Sequence, residues 1–210
     1  DGQVTNARGA ELWDLQAYDF LNQGEAPDTV NPSLWRMAQL NMNNGLYKVC
    51  ERVYQLRGID LANMTIIEGD SGLIIVDPMT TAEVAGAGLD LYHAHRPEKP
   101  VVCVIYSHSH VDHYGGAMGV ASAEDAASGK FSVIAPDQFV EELSGENVIA
   151  GNAMMRRAQF QFGGLLRKGA CGQVDAGLGK VTARGRVTLI SPTLVITEPT
   201  ETHAVDGVEI

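Results

Sequence analysis

One junction in the chain limits everything else. Residues 101–106 are an unbroken apolar run, and residues 107–113 read Ser-His-Ser-His-Val-Asp-His. The run is too short for a core helix and rich in β-branched side chains. It is read as a strand buried on both faces, the kind found in parallel sheets covered by helices. The carboxyl end of such a strand is where open α/β sheets hold their ligands. Neutral imidazoles and a carboxylate suit zinc or a similar first-row metal. Alternate residues of an extended segment point the same way, so His108 and His110 face one ion. Asp112 and His113 open the next turn and reach a second. A polar loop whose histidines cap a helix is the plainer alternative.

The surrounding pattern supports an α/β fold. Residues 64–68, the turn Gly69-Asp70-Ser71-Gly72 and residues 73–76 read as a hairpin with apolar, β-branched arms. Residues 81–95 read as a helix stopped by Arg96-Pro97. Strand 73–76, this helix and strand 101–106 then form a βαβ unit with parallel strands. Further strands are expected at 47–49, 53–56, 131–135, 187–190 and 194–197. Helices are expected at 112–127 and 137–166, and an extended loop at 163–186. Before residue 46 the texture differs. Leu12, Leu15 and Tyr18 fall at helical spacing within 11–21, and Asn31-Pro32-Ser33 is a helix start. The chain is therefore divided into a helical N-terminal arm, 1–45, and the first part of a catalytic domain, 46–210. It stops three residues after the Asp206-Gly207 turn, where a returning strand is expected.

Charge and cysteine usage exclude several functions. The 26 acidic and 15 basic residues give a net charge of −11, which argues against nucleic acid and anionic membrane surfaces as partners. An anionic small molecule remains compatible, because a metal supplies local positive charge. No stretch approaches the roughly 20 apolar residues of a membrane span. Cys50, Cys103 and Cys171 are too scattered for a disulfide framework, and Cys103 reads as a small buried hydrophobe. The sequence begins at Asp1. Either a signal peptide has been removed, which makes the protein periplasmic or secreted, or the sequence starts late.

The motif, with Asp77 at the end of strand 73–76, resembles the metallo-β-lactamase superfamily. Flanking text narrows the resemblance. Asn31-Pro32-Ser33-Leu34-Trp35-Arg36, Tyr54-Gln55-Leu56-Arg57-Gly58, Asn63-Met64-Thr65, Tyr106 to Gly116, Glu146-Asn147-Val148, Gly151-Asn152-Ala153-Met154 and Gly177-Leu178-Gly179-Lys180 are similar to zinc-dependent alkylsulfatases of the dodecyl sulfate hydrolase type. The resemblance implies an αββα sandwich of which this chain is the N-terminal half. It implies hydrolysis of alkyl sulfate esters to alcohol and inorganic sulfate by a metal-activated water. His108 and His110 would bind one zinc, and Asp112 and His113 the other, with Asp112 also orienting water. Asp77 would orient a ligating histidine from behind, or else is a turn residue before Pro78. The remaining ligands of such enzymes, two glutamates and a histidine, would lie beyond residue 210, as would a dimerisation domain. The complete protein is expected to be a homodimer. Another hydrolase of the superfamily, a thioesterase or lactamase-like enzyme, is the competing activity. A non-catalytic fragment needing a partner chain is the competing class.

Other residues are weaker candidates. His93 and His95 lie two apart on a helix and do not share a face; they suit the helix C-terminus. His203 reads as a surface residue. Arg156 and Arg157 can bind an anion or pair with Glu141, Glu142 or Glu146. Residues 172–179 are read as a loop over the metal site. Phe160, Phe162, Leu165 and Leu166 can line an alkyl channel or pack in a core or subunit contact.

Overall fold

The computed structural model describes residues 2–210. Strands β1 (Gln3–Thr5) and β2 (Glu11–Asp14) form an antiparallel ribbon, and a 3-10 helix, Gln16–Asn22, comes next. The helix expected over 11–21 is not formed. The buried residues there are Trp13, Leu15, Tyr18 and Leu21. Their spacing is two and then three, which a strand running into a 3-10 turn satisfies. Helix α1 (Pro32–Leu40) begins as read, with the Asn31 side chain accepting the Ser33 N–H and Pro32 in the first turn.

Seven strands then build one sheet: β3 (Gly45–Cys50), β4 (Val53–Arg57), β5 (Met64–Glu68), β6 (Leu73–Val76), β7 (Val101–Ile105), β8 (Ser132–Pro136) and β9 (Leu194–Ile196). Their spatial order is their chain order. Pairing is antiparallel from β3 to β6 and parallel from β6 to β9. Helix α2 (Ala82–His93) makes the crossover between β6 and β7, so the expected βαβ unit is present.

The two longer helices expected next are both broken. Between β7 and β8 lie three short helices, α3 (Val111–Tyr114), α4 (Ala117–Val120) and α5 (Ala123–Ala127). Gly115, Gly116 and Gly119 press directly on backbone oxygens of Thr80, Pro78 and Ala82, an approach that a continuous helix with side chains would forbid. After β8 come α6 (Phe139–Ser144), one π-helical turn, Gly145–Ile149, and α7 (Gly151–Phe162). The strand expected at 187–190 is absent. The Thr188 N–H bonds to the Gly115 carbonyl instead of a sheet neighbour. A last hairpin pairs β10 (Ala204–Val205) with β11 (Val208–Glu209).

Both faces of the central strands are covered, as their apolar sequences require. Leu73, Ile75, Val104 and Val133 face the helices and the N-terminal segment in the main core. Ile74, Cys103 and Ile134 face the other way, under Val205 and Val208 of the hairpin. Burying each large aliphatic side chain contributes about 1.5–3 kcal/mol, and Leu73, Ile74 and Ile75 of β6 and Val104 of β7 are fully buried, so β6 and β7 are firmly held. Their carboxyl ends form a rigid base for the Asp77 turn and the histidine loop.

Candidate metal centre

The histidine loop is pinned at both ends by one aromatic cluster. Tyr106, before Ser107, stacks on Phe139 with ring centroids 5.1 Å apart. Tyr114, after His113, meets the same Phe139 edge-on at 5.7 Å. All three are buried, and each such pair contributes about 0.5–1.5 kcal/mol beyond area burial. The Tyr106 hydroxyl donates to the Ile190 carbonyl at 3.0 Å. Between these anchors His110 caps α3 in extended conformation, and Val111–Tyr114 form its single turn.

Asp77 organises the loop from the end of β6. Asp77 and Met79 both adopt left-handed backbone, φ 54° and 60°, a strained arrangement for residues other than glycine and one that clusters at functional sites. The turn aims the Asp77 carboxylate at the loop. Oδ1 accepts the Ser107 N–H at 2.8 Å, and Oδ2 accepts the Ser107 hydroxyl at 2.7 Å. His113 Nδ1 lies 2.9 Å from the same Oδ2, so it carries a proton and donates. Ser107 spends its only proton on Asp77. Its oxygen, 2.9 Å from His108 Nδ1, therefore accepts from that nitrogen. Both imidazoles are thus held by Nδ1–H, and Nε2 is the nitrogen each turns away from Asp77 and Ser107. The Asp77 carboxylate thus bonds both Ser107 and His113.

The four motif residues are neighbours in space. The His108 ring lies 4.1 Å from that of His113 and 4.6 Å from that of His110. His113 Nε2 is 3.4 Å from Asp112 Oδ2. Burial opposes a charge on His113, yet the Asp112 and Asp77 carboxylates outweigh it and raise its pKa to about 9. Burial, helped by the charges of His113 and His110, lowers that of His108. Burial would raise Asp112, but the neighbouring His113 holds it below the usual carboxylate range. Imidazole and carboxylate are the donors a first-row metal takes, so the donor chemistry fits, and His113 would give up its Nε2 proton on binding one. The cage is not closed: among the described residues no three His, Cys, Asp or Glu converge as ligands on one point.

The other candidates lie elsewhere. His93 packs on the Tyr92 ring at 5.6 Å. His203 Nε2 is 2.9 Å from Glu201. Among the described residues neither Arg156 nor Arg157 forms an ion pair. Residues 172–179 do not cover the metal loop. Gln173 accepts the Tyr18 hydroxyl at 2.6 Å and Asp175 accepts the Asn41 amide at 3.1 Å, so the segment packs on the N-terminal arm. Phe160, Leu165 and Leu166 are exposed rather than in this chain's core. Two residues near the motif are not marked by spacing: Ser107, hidden as the spacer before the first histidine, and Glu146, whose Oε1 is 3.7 Å from His110 Nε2.

Comparison with known proteins places these features. The family model described as the metallo-beta-lactamase superfamily matches residues 57–208. An (R)-specific secondary-alkylsulfatase of Pseudomonas sp. is 55% identical over 210 residues, all of this chain and 32% of the relative. An alkyl/aryl-sulfatase of Saccharomyces cerevisiae is 51% identical over 209 residues, again 32% of its length. A solved stereoselective inverting sec-alkylsulfatase of Pseudomonas sp. superposes with a TM-score of 0.96 at 56% identity, covering 99% of this chain and 33% of that one. The chain spans about a third of the length of the relatives it matches.

Proposed function

The chain belongs to the metallo-beta-lactamase superfamily, and from that premise we propose that it is the part of an alkylsulfatase that carries the first metal donors. Residues 46–210 would be the first part of the catalytic domain, buttressed by the arm 1–45. The substrate is an alkyl sulfate ester, and the products are an alcohol and inorganic sulfate. The observation that carries this reading is the extent of the likeness to alkylsulfatases, which runs through the whole chain rather than through the histidine motif alone.

In this reading His108 and His110 hold one zinc, and Asp112 with His113 holds a second. A bound metal supplies Lewis acidity and a water of lowered pKa. This chain's own residues do the positioning. Asp77 and Ser107 fix the rings of His113 and His108 through their Nδ1 protons. Asp112, with a side chain only 17% exposed, stands beside His113 to accept a hydrogen bond from an attacking water. Further donors would come from residues after 210. The complete protein is carried as a homodimer, a proposal supported by the exposed Phe160, Leu165 and Leu166. Degradation of detergent-like sulfates is its expected use.

The test is sulfate release from primary and secondary alkyl sulfates by the intact zinc-loaded protein. Sulfate is expected from dodecyl sulfate or a secondary analogue. In 18O-water, label in the alcohol would mark cleavage of the C–O bond and label in the sulfate cleavage of the S–O bond. No sulfate from any ester, with thioesters or β-lactams hydrolysed instead, would transfer the chain to the competing activity.

A further inference from the structure

We propose that Glu146 is a positioning residue for His110. Its carboxylate would take the Nε2–H of that imidazole and leave Nδ1 as the metal-facing nitrogen. The inference rests on the proposed role of His110 as a metal ligand.

The loop itself leaves this role open. His108 is held by Ser107 and His113 by Asp77, each through Nδ1. His110 has no such partner on its own loop, and its side chain is 57% exposed. Among the described residues the one polar group within ion-pair distance is Glu146 Oε1, 3.7 Å from Nε2. The Glu146 side chain in turn has no other ion pair or hydrogen bond among the described residues. Its side chain is only 23% exposed, although a free carboxylate in so acidic a chain would be better hydrated. At 3.7 Å the contact is longer than a hydrogen bond, and the Nε2–H would have to close on the carboxylate to about 3 Å.

The backbone that delivers Glu146 is unusual in the same way as the Asp77 turn. It is the second residue of the π-helical turn, whose Ala150 N–H reaches back to the Gly145 carbonyl at 2.9 Å. Such turns insert one residue, rotate the helix beyond them, and are frequent at functional sites. The turn is fixed to the metal loop, because Phe139 of α6 is the ring that anchors Tyr106 and Tyr114. All three histidines would then have one nitrogen assigned by a neighbour. Loss of such an outer partner typically costs 10–100-fold in metal affinity.

The experiment uses the intact protein and zinc alone, in competition with a chromophoric chelator. Glu146→Ala is expected to weaken zinc binding about 10–100-fold. Glu146→Gln, which keeps an oxygen acceptor, should recover most of it. Glu142→Gln, exposed on the preceding helix, should change nothing. Side-chain 15N shifts of His110 should show one tautomer, Nε2–H, in the metal-free native protein and a mixture in Glu146→Ala. Zinc affinity within about twofold of native in Glu146→Ala, or an unchanged His110 tautomer, overturns the proposal. So does an equal fall in the metal-free melting temperature of both Glu146 variants with equal loss of zinc, which would make the residue a support for the π turn only. His110→Ala separates the two readings. If it keeps full zinc affinity, His110 is no ligand and the metal assignment fails first. If it loses zinc while Glu146→Ala does not, the role of Glu146 alone falls.

Discussion

Replacing Gly116 by alanine should loosen the metal loop without touching a donor. The residue has φ −88°, so alanine meets no backbone strain and the whole cost is contact. The new Cβ would stand 2.6 Å from Ala85 Cβ and 2.8 Å from the Thr81 carbonyl oxygen, and nearer still to that of Pro78, where real Cβ atoms keep at least 3.0 Å. None of these is the end of a flexible side chain. Overpacking a rigid site costs about 1–3 kcal/mol, and three simultaneous contacts place Gly116→Ala near about 3 kcal/mol. For a body of this size that is roughly 6–12 °C in melting temperature. The segment that must withdraw is the one bearing Asp77, whose Oδ2 is 2.9 Å from His113, so zinc affinity should fall as well. Calorimetry and zinc titration of the intact protein read both effects. Gly151→Ala is the control: nothing lies within 4 Å of its Cβ, and alanine there should be neutral or stabilising by up to about 1 kcal/mol. A Gly116→Ala protein melting within about 1 °C of the native one would refute the idea that backbone contact between α4 and the Asp77 turn is rigid.

Single contacts elsewhere carry their own expectations. Asp77→Asn keeps the left-handed backbone that asparagine tolerates. It can place an amide donor opposite His113 Nδ1, forcing the proton to Nε2, so zinc affinity should drop about 10–100-fold with little change in melting; native affinity would refute this. Burial pushes the Asp60 carboxyl up to about 6 from 3.8, against N–H donors from Ala183, Thr80 and Leu61. A raised folded pKa means that its stabilising contribution is complete below about pH 4 and lost as pH rises through 6, by about 3 kcal/mol. The melting temperature of the native protein should therefore fall relative to Asp60→Asn across that window, and a constant difference would refute the shift. Lys180, whose buried Nζ is 3.0 Å from the buried Asp175 carboxylate, should cost about 3–5 kcal/mol when replaced by methionine. Adding Asp175→Leu should recover part of that loss; if the double variant unfolds more easily than Lys180→Met, the account of the pair is wrong.

What was legible in the sequence was local. His108, His110, Asp112 and His113 sit within one turn and one extended segment, so their spacing alone brings them together. Asp77 was marked by its place at the end of an apolar strand. The structure departs from the local pattern where distant backbone decides the outcome. The helix over 112–127 breaks because Gly115, Gly116 and Gly119 meet the 78–82 backbone, a contact that no local pattern encodes. Residues 187–190 look like a strand, yet the Thr188 N–H serves another segment. Glu146 reaches His110 through the phase of a π-helical turn, and periodicity cannot supply a phase that one inserted residue changes.

The stretch from 163 to 193 contains neither helix nor strand and would ordinarily be taken for a protease-sensitive surface loop. Several of its amides are occupied. Ala183 N–H goes to Asp60, Arg184 N–H to the Leu12 carbonyl, Arg186 N–H to Glu83 and Thr188 N–H to the Gly115 carbonyl, and Val174, Lys180 and Ala183 are buried. The segment behaves as lacing, drawn through the N-terminal ribbon at one end and behind the histidine loop at the other. The amides of Ala183, Arg184, Arg186 and Thr188 should exchange with solvent more slowly than those of an ordinary surface loop. A nick or insertion between them would slacken the metal loop from the rear, at a distance from every donor.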